Sequence, residues 1–194
     1  DDEFAFDAPS SAPATAVVDA AEIARWKKVL KEVWGYDDFR GEQLTAIKAC
    51  VEGRDTFVLM ATGTGKSMCY QFPPVMRRKL GRKGGTVVVV SPLISLMEDQ
   101  VFALNALNVP ACFLGSSQLD ADVYRRAFAG EYALIYCTPE GIDTMLGRMA
   151  ELHAASGITC FAIDESHCVS QWGHDFRPAY RRLRAIRERL PHVP

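Results

Sequence analysis

TFVLMATGTGKSMCYQFPP, residues 56–74, joins an apolar run, a glycine-rich loop and a helical stretch end to end. The run at 56–60 reads as a strand and the residues from about 67 as a helix, the setting that a phosphate-binding loop requires. Gly63 and Gly65 let the backbone turn tightly, so that successive N–H groups face a chain of phosphates. The helix that follows adds its positive end. Lys66 is placed to reach the β- and γ-phosphates, and Ser67 to ligate Mg²⁺ through its hydroxyl. Met60, Ala61, Thr62, Gly63, Thr64, Gly65, Lys66 and Ser67 are therefore the expected triphosphate-binding segment. Met60 stands where the general pattern has a glycine, a small departure because the close phosphate contacts fall later in the loop.

Outward from this loop, β-type runs alternate with helical ones. Strands are expected at 56–60 (TFVLM), 86–90 (TVVVV), 111–114 (ACFL), 133–136 (ALIY) and 159–163 (TCFAI). Helices are expected near 67–79, 93–107, 119–129, 142–154 and 178–190. Upstream, Ile23, Trp26, Leu30, Val33 and Trp34 recur at three- and four-residue steps, which predicts an amphipathic helix capped near Asp19 and stopped at Gly35. A second helix is expected from about 41 to 51. Strands alternating with helices imply a mostly parallel sheet covered on both faces, a three-layer α/β architecture.

The run CFAIDESHC, residues 160–168, ends a buried strand in Asp164 and Glu165. At the C-terminal edge of a parallel sheet these carboxylates stand beside a phosphate loop. Asp164 suits Mg²⁺ and Glu165 suits orienting or deprotonating a water. Taken alone the motif is equally well an N-cap; paired with the loop about 100 residues upstream, it points to hydrolysis of a nucleoside triphosphate.

The chain has 194 residues, 48% of them hydrophobic and 24% charged, as expected of a soluble globular domain. No run approaches the roughly 20 apolar residues of a membrane span, and the N-terminus is not patterned as a secretory signal, so an intracellular protein with no membrane partner is expected. The net charge of −2 is unevenly spread. Six acids fall in residues 1–22, whereas all 22 Lys and Arg lie beyond them. Residues 1–18, rich in Asp, Pro, Ala and Ser, read as a disordered acidic leader; Phe4 and Phe6 within it fit an inert tail better than a partner motif. Residues 19–194 read as one domain. The six cysteines show no C-x-x-C spacing and fit reduced, buried thiols; His167, Cys168 and His174 fit no standard zinc spacing.

ATGTGKS, SPLISLMEDQV, TPE and DESHCVSQWGHDFRP, in this order and spacing, resemble the RecQ DNA helicases, with the Werner-type branch the nearest likeness. The resemblance spans residues 20–194. It implies the first RecA-like lobe of a P-loop NTPase, with ATP and Mg²⁺ as cofactors, and single-stranded and forked DNA as partners. It also implies 3′-to-5′ movement, service in DNA repair, recombination and replication, and a nuclear location. Lys66, Asp164, Glu165 and His167 would be the catalytic set, with Ser67 and Asp164 on the metal. In GYDDFRGEQ, Tyr36 and Arg40 would sandwich the adenine and Gln43 would read its edge, although by sequence alone these residues fit helix surface and core equally well. Ser91, Leu93 and Thr138 would lie along the DNA backbone; each also fits an ordinary strand-to-helix turn.

Trp172, His174, Phe176 and Arg177 would form a stacking platform for unpaired bases, the other reading being that the aromatics are core. Because this loop follows Glu165 directly, Trp172→Ala is expected to abolish DNA-stimulated ATP hydrolysis and to spare nucleotide binding, measured by phosphate release with and without single-stranded DNA. Ser166 replaces the family's usual alanine, with activity expected to persist. RPAYRRLRAIRERLP fits a solvated surface helix better than a DNA contact. In the family the next strand and a second RecA-like lobe follow the point where this sequence ends. By itself the chain is therefore expected to be an incomplete lobe that binds ATP weakly, hydrolyses it slowly and does not unwind DNA. An RNA helicase of the DEAD/DEAH type and a non-catalytic nucleotide-dependent scaffold are the competing readings.

Overall fold

The computed structural model describes residues 18–61, 63–166 and 178–194; the leader expected at 1–18 lies almost wholly outside them. Helices α1 (Ala20–Trp34) and α2 (Gln43–Val51) precede the glycine loop, and α3 (Met68–Lys79) leaves it. There follow β1 (Val87–Val90), α4 (Ile94–Ala106), β2 (Ala111–Leu114), α5 (Ala121–Phe128), β3 (Leu134–Cys137), α6 (Pro139–Ser156) and β4 (Cys160–Ile163). Helices α7 (Pro178–Arg182) and α8 (Arg184–Arg189) come last, two short helices where the sequence predicts one.

The strands form a parallel sheet in the order β2-β3-β1-β4. Val87 lies opposite Leu134 on one side and Cys160 on the other. Side chains alternate along a strand, and here the alternation feeds two separate cores. Val87, Val89, Leu134, Tyr136 and Phe113 pack with Trp26, Ile47, Phe72 and Met97, on the side of α1 to α4. Val88, Val90, Ile135, Cys137 and Leu114 pack with Ala127, Ile142, Met149 and Ile186, on the side of α5, α6 and α8. The three-layer expectation holds, and it explains why these strands are apolar at every position.

Local chemistry sets the ends. The Glu22 N–H donates to the Asp19 carboxylate at 2.7 Å, and Gly35 stops α1 in the left-handed region at φ 76°. Phe72 of α3 is fully buried and meets Trp26, Trp34 and Phe39, the last edge-on at 4.9 Å. At the other end of α3, the Arg78 guanidinium donates to the carbonyls of Gly85, Gly130, Glu131 and Tyr132, and to the Thr86 hydroxyl. Gly85 makes room for it, since a Cβ there would fall 2.6 Å from Arg78 Cγ.

The strand expected at 56–60 does not form. Residues 54–60 belong to no sheet, and Phe57 and Leu59 are 78% and 87% exposed. Among the described residues the sheet order ends at β4 on this side, and a cavity lies between β4 and residues 54–58, so the run forms no ladder with that edge.

Candidate nucleotide site

The glycine loop takes the shape its sequence requires. Gly63 and Gly65 hold φ of 79° and 83°. The Thr64 hydroxyl donates back to the Ala61 carbonyl at 2.6 Å, and the Met68 N–H donates to the Gly65 carbonyl at 3.1 Å, starting α3. Gly65 is required twice over: its φ is left-handed, and a Cβ would sit 2.7 Å from Gln43 Nε2. Ser67 precedes α3 without capping it through its side chain; its hydroxyl instead accepts from Gln100 Nε2 at 3.4 Å. Lys66 Nζ donates to the Met60 carbonyl at 3.1 Å.

Asp164 and Glu165 follow β4 directly. The Asp164 N–H donates to the Val90 carbonyl at 2.9 Å, continuing the β1–β4 ladder. The Tyr180 hydroxyl of α7 donates to the Asp164 carbonyl at 2.8 Å. Glu165 adopts φ 53°, uncommon for a residue with a side chain, and its N–H donates to the Asp164 carboxylate at 3.0 Å. Lys66 and Asp164 line one cavity of about 380 Å³, walled by residues 54–58 and floored by Cys50, Cys69, Cys160 and Tyr70. Burial and the nearby Asp164 charge push the Tyr70 hydroxyl up to about 12, and burial raises Tyr136 as well. Both therefore remain donors near neutral pH.

The donor set fits a small hard dication. Ser67 offers a hydroxyl unused by the helix cap and Asp164 a carboxylate, both oxygens of the kind magnesium takes. Of the free thiols that line the cavity, burial raises Cys69 to about 11, while the hydrogen bond between Cys50 and Cys160 lowers Cys50 and raises Cys160. Among the described residues no group of three or more His, Cys, Asp and Glu is arranged to hold a metal.

In the adenine segment the expected residues are engaged with protein partners. The Arg40 guanidinium lies 5.1 Å from the centroid of the Tyr36 ring, so the two side chains expected to flank the adenine lie against each other. Gln43 is 5% exposed. Its carbonyl oxygen accepts from the Arg40 N–H at 2.8 Å, and its Nε2 donates to the carbonyls of Gly65 at 2.9 Å and Thr64 at 3.4 Å. It braces the phosphate loop and does not present its amide outward.

The expected DNA residues separate. Leu93 is 44% exposed at the start of α4. Ser91 is 1% exposed with its hydroxyl buried and unpartnered, so it is not displayed to a phosphate as expected. The Thr138 hydroxyl caps α6, accepting from the Gly141 N–H at 3.1 Å. Thr62, His167, Trp172, His174, Phe176 and Arg177 lie outside the described residues.

The model of the DEAD/DEAH box helicase family matches residues 40–193. The mouse bifunctional 3′-5′ exonuclease/ATP-dependent helicase WRN is 46% identical over 166 residues, covering 85% of this chain and 11% of that protein. The ATP-dependent DNA helicase RecQ of Haemophilus influenzae is 43% identical over 169 residues, covering 86% of this chain and 26% of its own. Yeast ATP-dependent helicase SGS1 is 42% identical over 172 residues, covering 85% and 12%. The chain thus spans between about a tenth and a quarter of the length of these relatives. Lys66 of the glycine loop and Asp164 at the C-terminal end of a parallel strand line one cavity, in agreement with these matches, and the chain belongs to the DEAD/DEAH box helicases as a RecQ-type domain.

Proposed function

We propose that this domain binds Mg·ATP and is the first motor lobe of an ATP-dependent DNA helicase that moves 3′ to 5′ on single-stranded DNA. The observation that carries the reading is the shared cavity of Lys66 and Asp164. With the triphosphate in the loop, Lys66 leaves the Met60 carbonyl for the β- and γ-phosphates. Ser67 and Asp164 would hold the metal, which would supply positive charge to neutralise the transferring phosphoryl group. Glu165, set in its left-handed turn, orients the attacking water. A second lobe elsewhere in the protein supplies arginines to the open side of the cavity and half of the DNA track.

The relatives include ATP-dependent DNA helicases from bacteria and plants, which supports DNA over RNA as the track. Forked DNA as substrate, roles in repair, recombination and replication, and a nuclear location belong to the same proposal. Hydrolysis by the protein carrying this domain tests it. Single-stranded DNA is expected to stimulate phosphate release at least about tenfold more than RNA of the same sequence, about 1.4 kcal/mol in the activation barrier. Equal stimulation by RNA would favour the RNA-helicase reading.

A further inference from the structure

Gln100 lies on the second turn of α4, a helix that contributes no residue to the cavity lining, yet its amide reaches the nucleotide loop. Its Oε1 accepts from the Tyr70 hydroxyl at 3.2 Å, from Gln71 Nε2 at 2.9 Å and from the Tyr136 hydroxyl at 3.0 Å. Gln71 Nε2 also reaches the Tyr136 hydroxyl at 3.3 Å. Three donors from α3 and β3 thus converge on one carbonyl oxygen. That convergence fixes which end of the amide is which, and turns Nε2 toward Ser67 Oγ, 3.4 Å away.

The consequence for Ser67 follows from counting. A serine hydroxyl has one proton and two lone pairs. The Tyr70 hydroxyl is also hydrogen-bonded to Ser67 and takes the proton. Gln100 occupies one lone pair. The other is left for a cation.

We propose that Gln100 is a positioning residue for the metal: bonded through its amide to Ser67 on one side and to Tyr70, Gln71 and Tyr136 on the other, it aims the Ser67 hydroxyl at magnesium. This rests on the reading above that Ser67 ligates the metal of Mg·ATP. It has a further consequence. Gln100 is rigidly part of α4, whose first turn carries the exposed Leu93 and Ile94 end, so any shift of that helix changes how well Ser67 is aimed.

Magnesium titration of a fluorescent ATP analogue on the intact protein tests the proposal, with the metal-free affinity measured in excess EDTA. Gln100→Met, similar in length but without polar groups, is expected to raise the half-saturating magnesium about tenfold, the usual cost of removing a partner that orients a metal ligand. The metal-free affinity is expected to stay unchanged. In Ser67→Ala, adding Gln100→Met is expected to raise it no further, since the effect runs through that hydroxyl. Tyr70→Phe, a change of one oxygen, is expected to give a rise of about threefold and supplies a folded variant if Gln100→Met unfolds. Wild-type magnesium dependence in a folded Gln100→Met or in Tyr70→Phe would overturn the proposal, as would an undiminished effect on the Ser67→Ala background. Wild-type protein that binds no nucleotide, or binds it without regard to magnesium, would instead overturn the nucleotide-site reading itself.

Discussion

Replacing Lys66 with alanine is expected to weaken Mg·ATP binding about 30- to 150-fold and to leave the fold intact. The size comes from charge-assisted hydrogen bonds to phosphate, worth about 2–3 kcal/mol where water is partly excluded. Hydrolysis is expected to fall further, by about 100- to 1,000-fold, because the ammonium faces charge that grows as the phosphoryl group transfers. The folded state loses little, since the Lys66 ammonium donates to the Met60 carbonyl on a loop that Gln43 and Thr64 also brace. Titration with a fluorescent ATP analogue, phosphate release and a thermal melt together separate these effects. Binding within threefold of wild type would show that the triphosphate does not lie in this loop. Full cellular function with the substitution would favour the scaffold reading.

Arg78→Met is expected to do the opposite, lowering stability while leaving the nucleotide loop untouched. Arg78 closes the end of α3 onto the segments that lead into β1 and β3, through four backbone carbonyls and the Thr86 hydroxyl. Burial lowers its basicity, but arginine stays charged near neutrality, so these are charge-assisted bonds. Methionine keeps much of the stem and its packing, and removes every donor. Some of the carbonyls can then turn to water, which brings the expected loss to about 3 kcal/mol. For a chain of this size that lowers the melting midpoint by about 6–12 °C. A shift under about 2 °C would mean that the guanidinium is replaceable by solvent. Lysine is expected to rescue little, because a single ammonium cannot span carbonyls arranged around a planar fork.

The strands were the most legible part of the sequence. ACFL at 111–114 is a strand with the expected bounds, and TVVVV, ALIY and TCFAI each land within one residue. Runs without alternation are the mark of burial on both faces, and both faces are covered. The loop and the carboxylate pair were legible for a different reason. Their chemistry depends on local geometry, a turn built from glycines and a strand end, which neighbouring residues set by themselves.

What failed depended on distant partners. TFVLM has the composition of a strand, but pairing is a property of two segments, and nothing within the five residues reveals that the sheet ends at β4. Gln43 was legible as an amide near the loop; that its donors turn toward Gly65 and Thr64 follows from how α2 packs. Ser91 looked available because serine is polar, yet its backbone continues β1 inward, donating its N–H to the Cys137 carbonyl. Gln100 gave no signal at all. Its partners Tyr70, Gln71 and Tyr136 lie about 30 residues away in either direction, and only the folded sheet brings them together.

The outer edge of β4 has a bearing on how these molecules treat one another. The Phe161 N–H of that strand donates to the Pro194 carbonyl at 2.8 Å, which occupies one point along it. Phe57 stands exposed on the wall of the cavity, and Leu59 is exposed two residues on. A ladder ready for a neighbour, beside greasy side chains, is the usual seed of clumping in crowded solution. A strand laid along that edge would keep the molecule solitary as well as extend its sheet.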